Sequence, residues 1–204
     1  MHSHEENRLD DIGSASRRAL SITLILIVIS CAIEAIGGYS SNSLSLCSDA
    51  AHLFLDIGSI GLALVLSYLV AYGVSNRVEL YGAMINGITL FITAGIIGYE
   101  AIVRFGNPVV VHSLIMIVIS ACCGFLDSLS LFFLSRYRHN QGVEAVYQHL
   151  VSDLFSSVGV VIASCIIYLT DYVLIDSVAG CFIAIIILVN SIRLIASTFS
   201  KLRR

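Results

Sequence analysis

Long uncharged tracts return six times along this chain, and they limit its fold more than any other feature. Residues 19–33 run without a charge as far as Glu34, and residues 57–76, 80–99, 105–126, 154–170 and 177–192 follow. A helix needs roughly 20 apolar residues to cross the hydrocarbon core of a bilayer, and fewer where polar groups are sheltered inside a bundle. A membrane β-barrel would instead alternate apolar and polar residues along each strand, and these runs are continuous. The tracts predict an all-α, polytopic membrane protein with six transmembrane helices near 19–39, 43–72, 80–103, 110–134, 143–169 and 174–199. Only 12% of the residues are charged, against about 25% in a soluble domain.

The basic residues orient these spans. Arg8, Arg17 and Arg18 precede the first helix, Arg77 lies between the second and third, and Arg136 and Arg138 lie between the fourth and fifth. Lys201, Arg203 and Arg204 end the chain, and only Arg104 falls on the opposite side. Positive residues stay cytoplasmic, so both termini are expected inside. The domain expectation is a cytoplasmic tail over 1–18, a six-helix domain over 19–200 and a short basic tail over 201–204. The expected setting is the lipid bilayer of the cell (inner) membrane. No secretory cleavage pattern precedes the first helix, so it is expected to be retained. No basic patch offers a footing for nucleic acid. The six cysteines lie in or beside apolar tracts with no C-x-x-C pair, which suits small packing residues.

Against this background one polar pattern occurs twice. The second helix carries "HLFLDIGS" and the fifth "HLVSDLFSS", each with Asp four residues after His and Ser seven after it. Residues four apart share a helix face, so His52 points with Asp56, and His149 with Asp153. Brought together, two imidazoles and two carboxylates suit a tetrahedral divalent ion of zinc type. Their depths agree: Asp56 lies about 18 Å from Tyr68 and Asp153 about 27 Å from Asp171 at 1.5 Å per residue, in a bilayer of about 45 Å with its headgroups. Two carboxylates in low dielectric are costly when empty. Either Zn²⁺ or protons can cancel that charge, and the two compete, because ligands shed protons to bind metal. A site open to each side in turn would exchange one for the other.

The remaining polar residues carry less specific signals. Asp49, one turn before His52, suits a partner that orients His52, a position on the ion's path, or a simple buried hydrogen-bonding role. Glu34 and Asp127 are further acids expected inside the bundle, where they would line a cavity or relay protons. Glu100 and Arg104 are spaced for an ion pair. Asp171 and Asp176 read as solvated loop charge, and His2 and His4 as part of a disordered tail.

With these residues in view, the chain resembles the cation diffusion facilitator family of zinc transporters over helices 1 to 6. "EAIGGYSSNSLSLCSDAAHLFLD" is similar to the family's Glu, Gly pair, Ser-Leu and Asp-x-x-His-x-x-x-Asp run. "YGVSNRVELYGAMINGITL" is similar to its Tyr-Gly, Arg-x-Glu and Asn-Gly pattern, and "HLVSDLFSSVGVVIAS" to its His-x-x-x-Asp-x-x-x-Ser-x-Gly pattern. The resemblance implies a metal site built from His52, Asp56, His149 and Asp153, proton-coupled efflux of Zn²⁺ as substrate rather than cofactor, and a homodimer. His52 itself resembles the zinc-preferring members. Cd²⁺ and Co²⁺ suit the same ligands. The family usually continues into a cytoplasmic C-terminal domain, and "FSKLRR" is where this sequence stops. Only His139 stands where some members have a His-rich loop.

Three other functions remain open on the residues alone. A metalloenzyme would need a vacant coordination position and a base such as the Glu of H-E-x-x-H, which is absent. A non-transporting metal sensor or partner subunit would bind without flux. A channel would conduct without heeding a proton gradient.

Overall fold

The computed structural model describes the backbone of residues 2–71, 77–137 and 141–203, and their side chains apart from 2–17, 59–71, 77–79, 141–142 and 145. The side chains of His2, His4, Tyr68, Arg77, Arg138 and His139 thus lie outside the described residues. Six helices make up the described chain: α1 (His2–Ser41), α2 (Leu44–Ala71), α3 (Arg77–Gly106), α4 (Ser113–Ser135), α5 (Gln141–Thr170) and α6 (Leu174–Leu202). Five stretches of described residues are long and apolar enough to cross a membrane, in α1, α3, α4, α5 and α6. At 28 residues, α2 spans about 42 Å and is packed among them. The chain is an all-helical, multi-pass membrane protein, as its uncharged tracts predict.

Large apolar side chains cover the outside. Ile25, Ile36, Ile96, Phe125, Phe155 and Leu169 are all exposed, which suits a surface solvated by lipid tails. The inside has two parts. α1, α2, α4 and α5 form one group, in which α1 lies against α2 and α4, and α4 against α5; α3 and α6 pair closely beside it, both touching α2. Ile27, Cys31, Leu53, Leu134, Val143 and Leu150 gather at the termini end of the first group. Leu90, Ala94, Ile97, Ile183 and Ile187 seal the α3–α6 pair, and Leu44 and Leu46 join them from α2.

At the end of the bundle away from the termini, polar contacts lock α2, α3 and α6. Asp176 was expected in solvent, yet it is 1% exposed. Its carboxylate accepts from Ser43 Oγ (2.7 Å), Leu44 N (2.6 Å), Ser45 N (3.1 Å) and Ser45 Oγ (2.6 Å). The physical reason is the N-terminus of α2. Its first N–H groups lack partners within the helix and carry the positive end of the helix dipole, and a carboxylate satisfies both needs. Arg104 holds Glu100 at 2.8 Å, the spacing read in the sequence, and donates through Nη1 to Asn42 O at 2.7 Å. Asn42 itself has φ of 56°, a left-handed conformation that Asn accepts more readily than most residues. Gly38 permits the tight turn here, since a Cβ would stand 2.8 Å from the Cys47 backbone nitrogen.

Several boundaries differ from the sequence reading, and the starts of α1 and α4 have physical reasons. α1 begins at His2, so residues 2–18 are helix rather than a disordered tail. That segment contains no proline and several good helix formers. α4 begins at Ser113 rather than near 110, because Pro108 holds the chain extended after α3 ends. His112 N–H then donates to Ser41 O at 2.9 Å, fixing this crossing to the end of α1.

Candidate metal centre

The two His-x-x-x-Asp faces meet. His52 and Asp56 sit on successive turns of α2, with Nε2 of His52 3.4 Å from Oδ2 of Asp56. On α5, Nε2 of His149 lies 3.7 Å from Oδ2 of Asp153. The pairs are joined across the helices: His149 Nε2 is 3.0 Å from the same Asp56 Oδ2, a hydrogen bond between residues 93 apart in sequence. The imidazole rings stand edge to face, 5.8 Å apart at 71°. One ligand atom each from His52, His149 and Asp153 lies within 4.8 Å of the others. Around a tetrahedral ion with bonds of about 2.0–2.1 Å, neighbouring ligand atoms are roughly 3.4 Å apart. The three need only a small inward shift, and Asp56 already bridges the two imidazoles.

The burial fits such a site. Asp153 is only 6% exposed, and its Oδ2 has no hydrogen-bond partner. His52 Nδ1 is likewise buried without one. Polar atoms left in that state in a low-dielectric interior are costly, and a cation among them would remove much of the cost at Asp153. The side chains of His52 and His149 are 15% and 38% exposed, so the group stays reachable.

A cavity of about 660 Å³ explains that access. It is walled by α2, α5 and α6 and reaches from His149 and Asn190 to Ile166 and Ile175. It therefore runs from His52, His149 and Asp153 toward the α5–α6 turn. On the opposite side, Leu53, Leu134, Val143 and Leu150 pack together, with Ile57, Val146 and Tyr147 against them. Among the described residues, the candidate centre has the cavity on one side and this apolar packing on the other.

The other acids take distinct places. Asp49 lines the cavity and accepts from Ser156 Oγ of α5 at 2.9 Å. Of its three readings, the geometry displays the buried hydrogen bond and the cavity position rather than a bond to His52, whose Nδ1 is unpartnered. Asp127 accepts from Ser157 Oγ at 2.9 Å. Glu34 is 1% exposed on α1 and outside the cavity wall. The sequence reading missed Ser156 and Ser157 as partners of these acids. The signal was present, since the repeated pattern places a Ser seven residues after each His.

Comparison with known proteins agrees with this architecture. The cation efflux transmembrane domain matches residues 20–203. The cadmium, cobalt and zinc/H(+)-K(+) antiporter of Bacillus subtilis (strain 168) is 33% identical over 199 residues, covering 92% of this chain and 61% of that protein. Zinc transporter ZitB of Yersinia pseudotuberculosis is 30% identical over 195 residues, covering 90% and 61%. The proton-coupled zinc antiporter SLC30A8 of Xenopus laevis is 24% identical over 208 residues, covering 88% and 56%. The chain spans about three fifths of the length of these relatives. It belongs to the cation efflux family, the cation diffusion facilitators that its motifs resemble. The matched domain is one of cation efflux and the three relatives are named as antiporters or transporters, which favours transport over the metalloenzyme reading.

Proposed function

We propose that this protein exports a divalent transition-metal ion, Zn²⁺ foremost, from the cytoplasm in exchange for protons, holding it with His52, Asp56, His149 and Asp153. One observation carries the proposal: His149 of α5 and His52 of α2 both reach Asp56 Oδ2, at 3.0 and 3.4 Å, inside a membrane-spanning bundle. Two imidazoles and two carboxylates form a borderline-soft ligand set that favours Zn²⁺ and also accepts Cd²⁺ and Co²⁺. The names of the Bacillus and Yersinia relatives, which include zinc, cadmium and cobalt, support that range.

The exchange follows from charge. The empty centre carries two carboxylates where solvation is poor, and the dication neutralises both. Protons taken up by the same residues do likewise, so each substrate expels the other. Imidazole, with an ordinary pKa near 6.5, changes charge across the range that cellular pH gradients span. With the termini cytoplasmic, the 660 Å³ cavity faces outward and the Leu53–Leu134–Leu150 packing closes the cytoplasmic side. Transport then requires the packing among α1, α2, α4 and α5 on the cytoplasmic side to part while the outer cavity between α2, α5 and α6 shuts.

Purified protein in sealed liposomes tests this. An imposed pH gradient should drive saturable Zn²⁺ movement, and Asp56→Asn should stop it. Binding without flux would indicate a sensor, and non-saturating flux indifferent to the gradient would indicate a channel. Either outcome overturns the proposal.

A further inference from the structure

Beside the metal centre, the seam between α1 and α4 holds a second set of polar groups with no part in metal binding. Thr23, Ser30 and Glu34 lie on one stripe of α1, each 1% exposed. Each has an oxygen without a hydrogen-bond partner: Thr23 Oγ1, Ser30 Oγ and Glu34 Oε2. Three such oxygens on one buried stripe are unusual, because a bundle interior normally pairs its polar atoms. Such oxygens are what ordered water satisfies.

The facing residues of α4 continue the set. Its buried stripe includes Cys123, Asp127 and Ser130. Cys123 Sγ lies 3.9 Å from Ser30 O, which fixes the antiparallel register of the two helices. Seven residues along each helix, that register brings Thr23 level with Ser130, nearer the termini. Cys31 on its own helix, Asp49 of α2, Cys123 and Asp127 of α4, and Asp153 of α5 lie within electrostatic reach of Glu34. Asp49 also belongs to the cavity wall. Asp49 in the cavity wall thus interacts electrostatically with Glu34 and Asp127, and along α1 the hydroxyls of Ser30 and Thr23 follow Glu34 toward the termini. Glu34 and Asp127 stand clear of the cavity lining, so a metal ion in the cavity does not pass them.

We propose that Glu34 and Asp127 hold the exchanged proton and pass it to the cytoplasm through water ordered by Ser30 and Thr23, along a route separate from the metal cavity. This rests on the antiport reading above. The ligand of the seam is water and its excess proton, because the unpartnered atoms there are hydroxyl and carboxyl oxygens and no imidazole joins them. The metal ligands compete for the ion, while the seam carries the proton that the competition displaces. A seam filled with side chains and water also excludes metal, so protons cross without a leak of Zn²⁺.

The test uses the full chain in proteoliposomes with a trapped pH dye and a Zn²⁺ reporter. Glu34→Gln and Asp127→Asn keep side-chain shape and remove the proton-carrying acid. Uptake of Zn²⁺ driven by a pH gradient should fall at least fivefold in each. Equilibrium Zn²⁺ affinity, and isotope exchange of Zn²⁺ at equal pH with no net proton movement, should stay within threefold of the parent. Variants that keep gradient-driven uptake within fivefold overturn the proposal, as do variants that lose exchange and affinity together with uptake. If the parent protein couples to the gradient and the variants also do, the seam proposal alone fails. If the parent moves Zn²⁺ without coupling, the antiport reading fails and takes the seam with it.

Discussion

Asp153→Asn should move two quantities in opposite directions. In the empty protein, Asp153 is a buried carboxylate whose Oδ2 has no hydrogen-bond partner, and its nearest cationic contact is His149 Nε2 at 3.7 Å. That distance is too long for a hydrogen bond, so the charge is held at a cost. An unsatisfied buried polar group costs about 1–3 kcal/mol, more when charged. Replacing the carboxylate by the amide removes the charge with little change in shape, so the metal-free variant should be more stable by about 1–3 kcal/mol. Zn²⁺ should have the reverse effect. At a free concentration about 100 times the parent Kd, ligand binding stabilises the folded state by about 2.7 kcal/mol. Loss of a residue that merely supports a ligand weakens metal affinity by about 10- to 100-fold, so loss of a ligand should weaken it by about 100-fold or more. At the same Zn²⁺ concentration the stabilisation then falls to about 0.4 kcal/mol or less. Thermal unfolding in detergent, with chelator and with buffered Zn²⁺, reads both numbers. A variant that is less stable when empty yet keeps the full Zn²⁺ shift would refute the reasoning, because Asp153 would then serve packing and not the ion.

Zn²⁺ affinity should fall as pH is lowered, since His52 and His149 must be neutral to bind. Two imidazoles that must each shed a proton make the loss approach about 100-fold per pH unit wherever both are protonated in the metal-free protein. His52→Ala should shrink that dependence to about tenfold, and isothermal titration across pH 5–8 would contradict this if affinity stayed flat. Asp176→Ala removes the acceptor for Leu44 N and Ser45 N and leaves both buried, at about 1–3 kcal/mol each. Heating in detergent before size-exclusion chromatography should show a Tm lower by about 10 °C, and a change under 2 °C would deny Asp176 its capping role. A cysteine placed at Asn107 in a cysteine-free background should react with an impermeant maleimide from outside intact cells, and one at Ser135 only after permeabilisation. The reverse pattern would invert the topology.

The helix count and the four converging residues were legible because both rest on strong physical penalties. A charge in hydrocarbon is costly, so uncharged runs mark the spans, and Asp56 and Asp153 stand out within them. The four-residue spacing then fixes their faces without knowledge of the neighbours. Which helix packs on which was not legible. Lipid tails are as apolar as a partner helix, so Val160, which is buried, and Phe155, which faces outward, look alike in the sequence. Asp176 looked like loop charge because its partners, Ser43 to Ser45, lie more than 130 residues away. The pairing of Asp49 with Ser156 was hidden for the same reason, 107 residues apart. The extension of α1 to His2 has a weak local signature, since polar helix and polar coil share much of their composition.

X-ray absorption at the zinc edge of the metal-loaded protein tests the centre most directly. Two imidazoles and two carboxylates predict one Zn²⁺ per chain with four N/O neighbours at about 2.0–2.2 Å, outer-shell scattering from two imidazole rings, and no sulfur. His52→Ala and His149→Ala should each remove one ring from that signal. A sulfur shell near 2.3 Å, or a spectrum unchanged by both substitutions, would mean that the ion sits elsewhere and that the two His-x-x-x-Asp faces do not hold it.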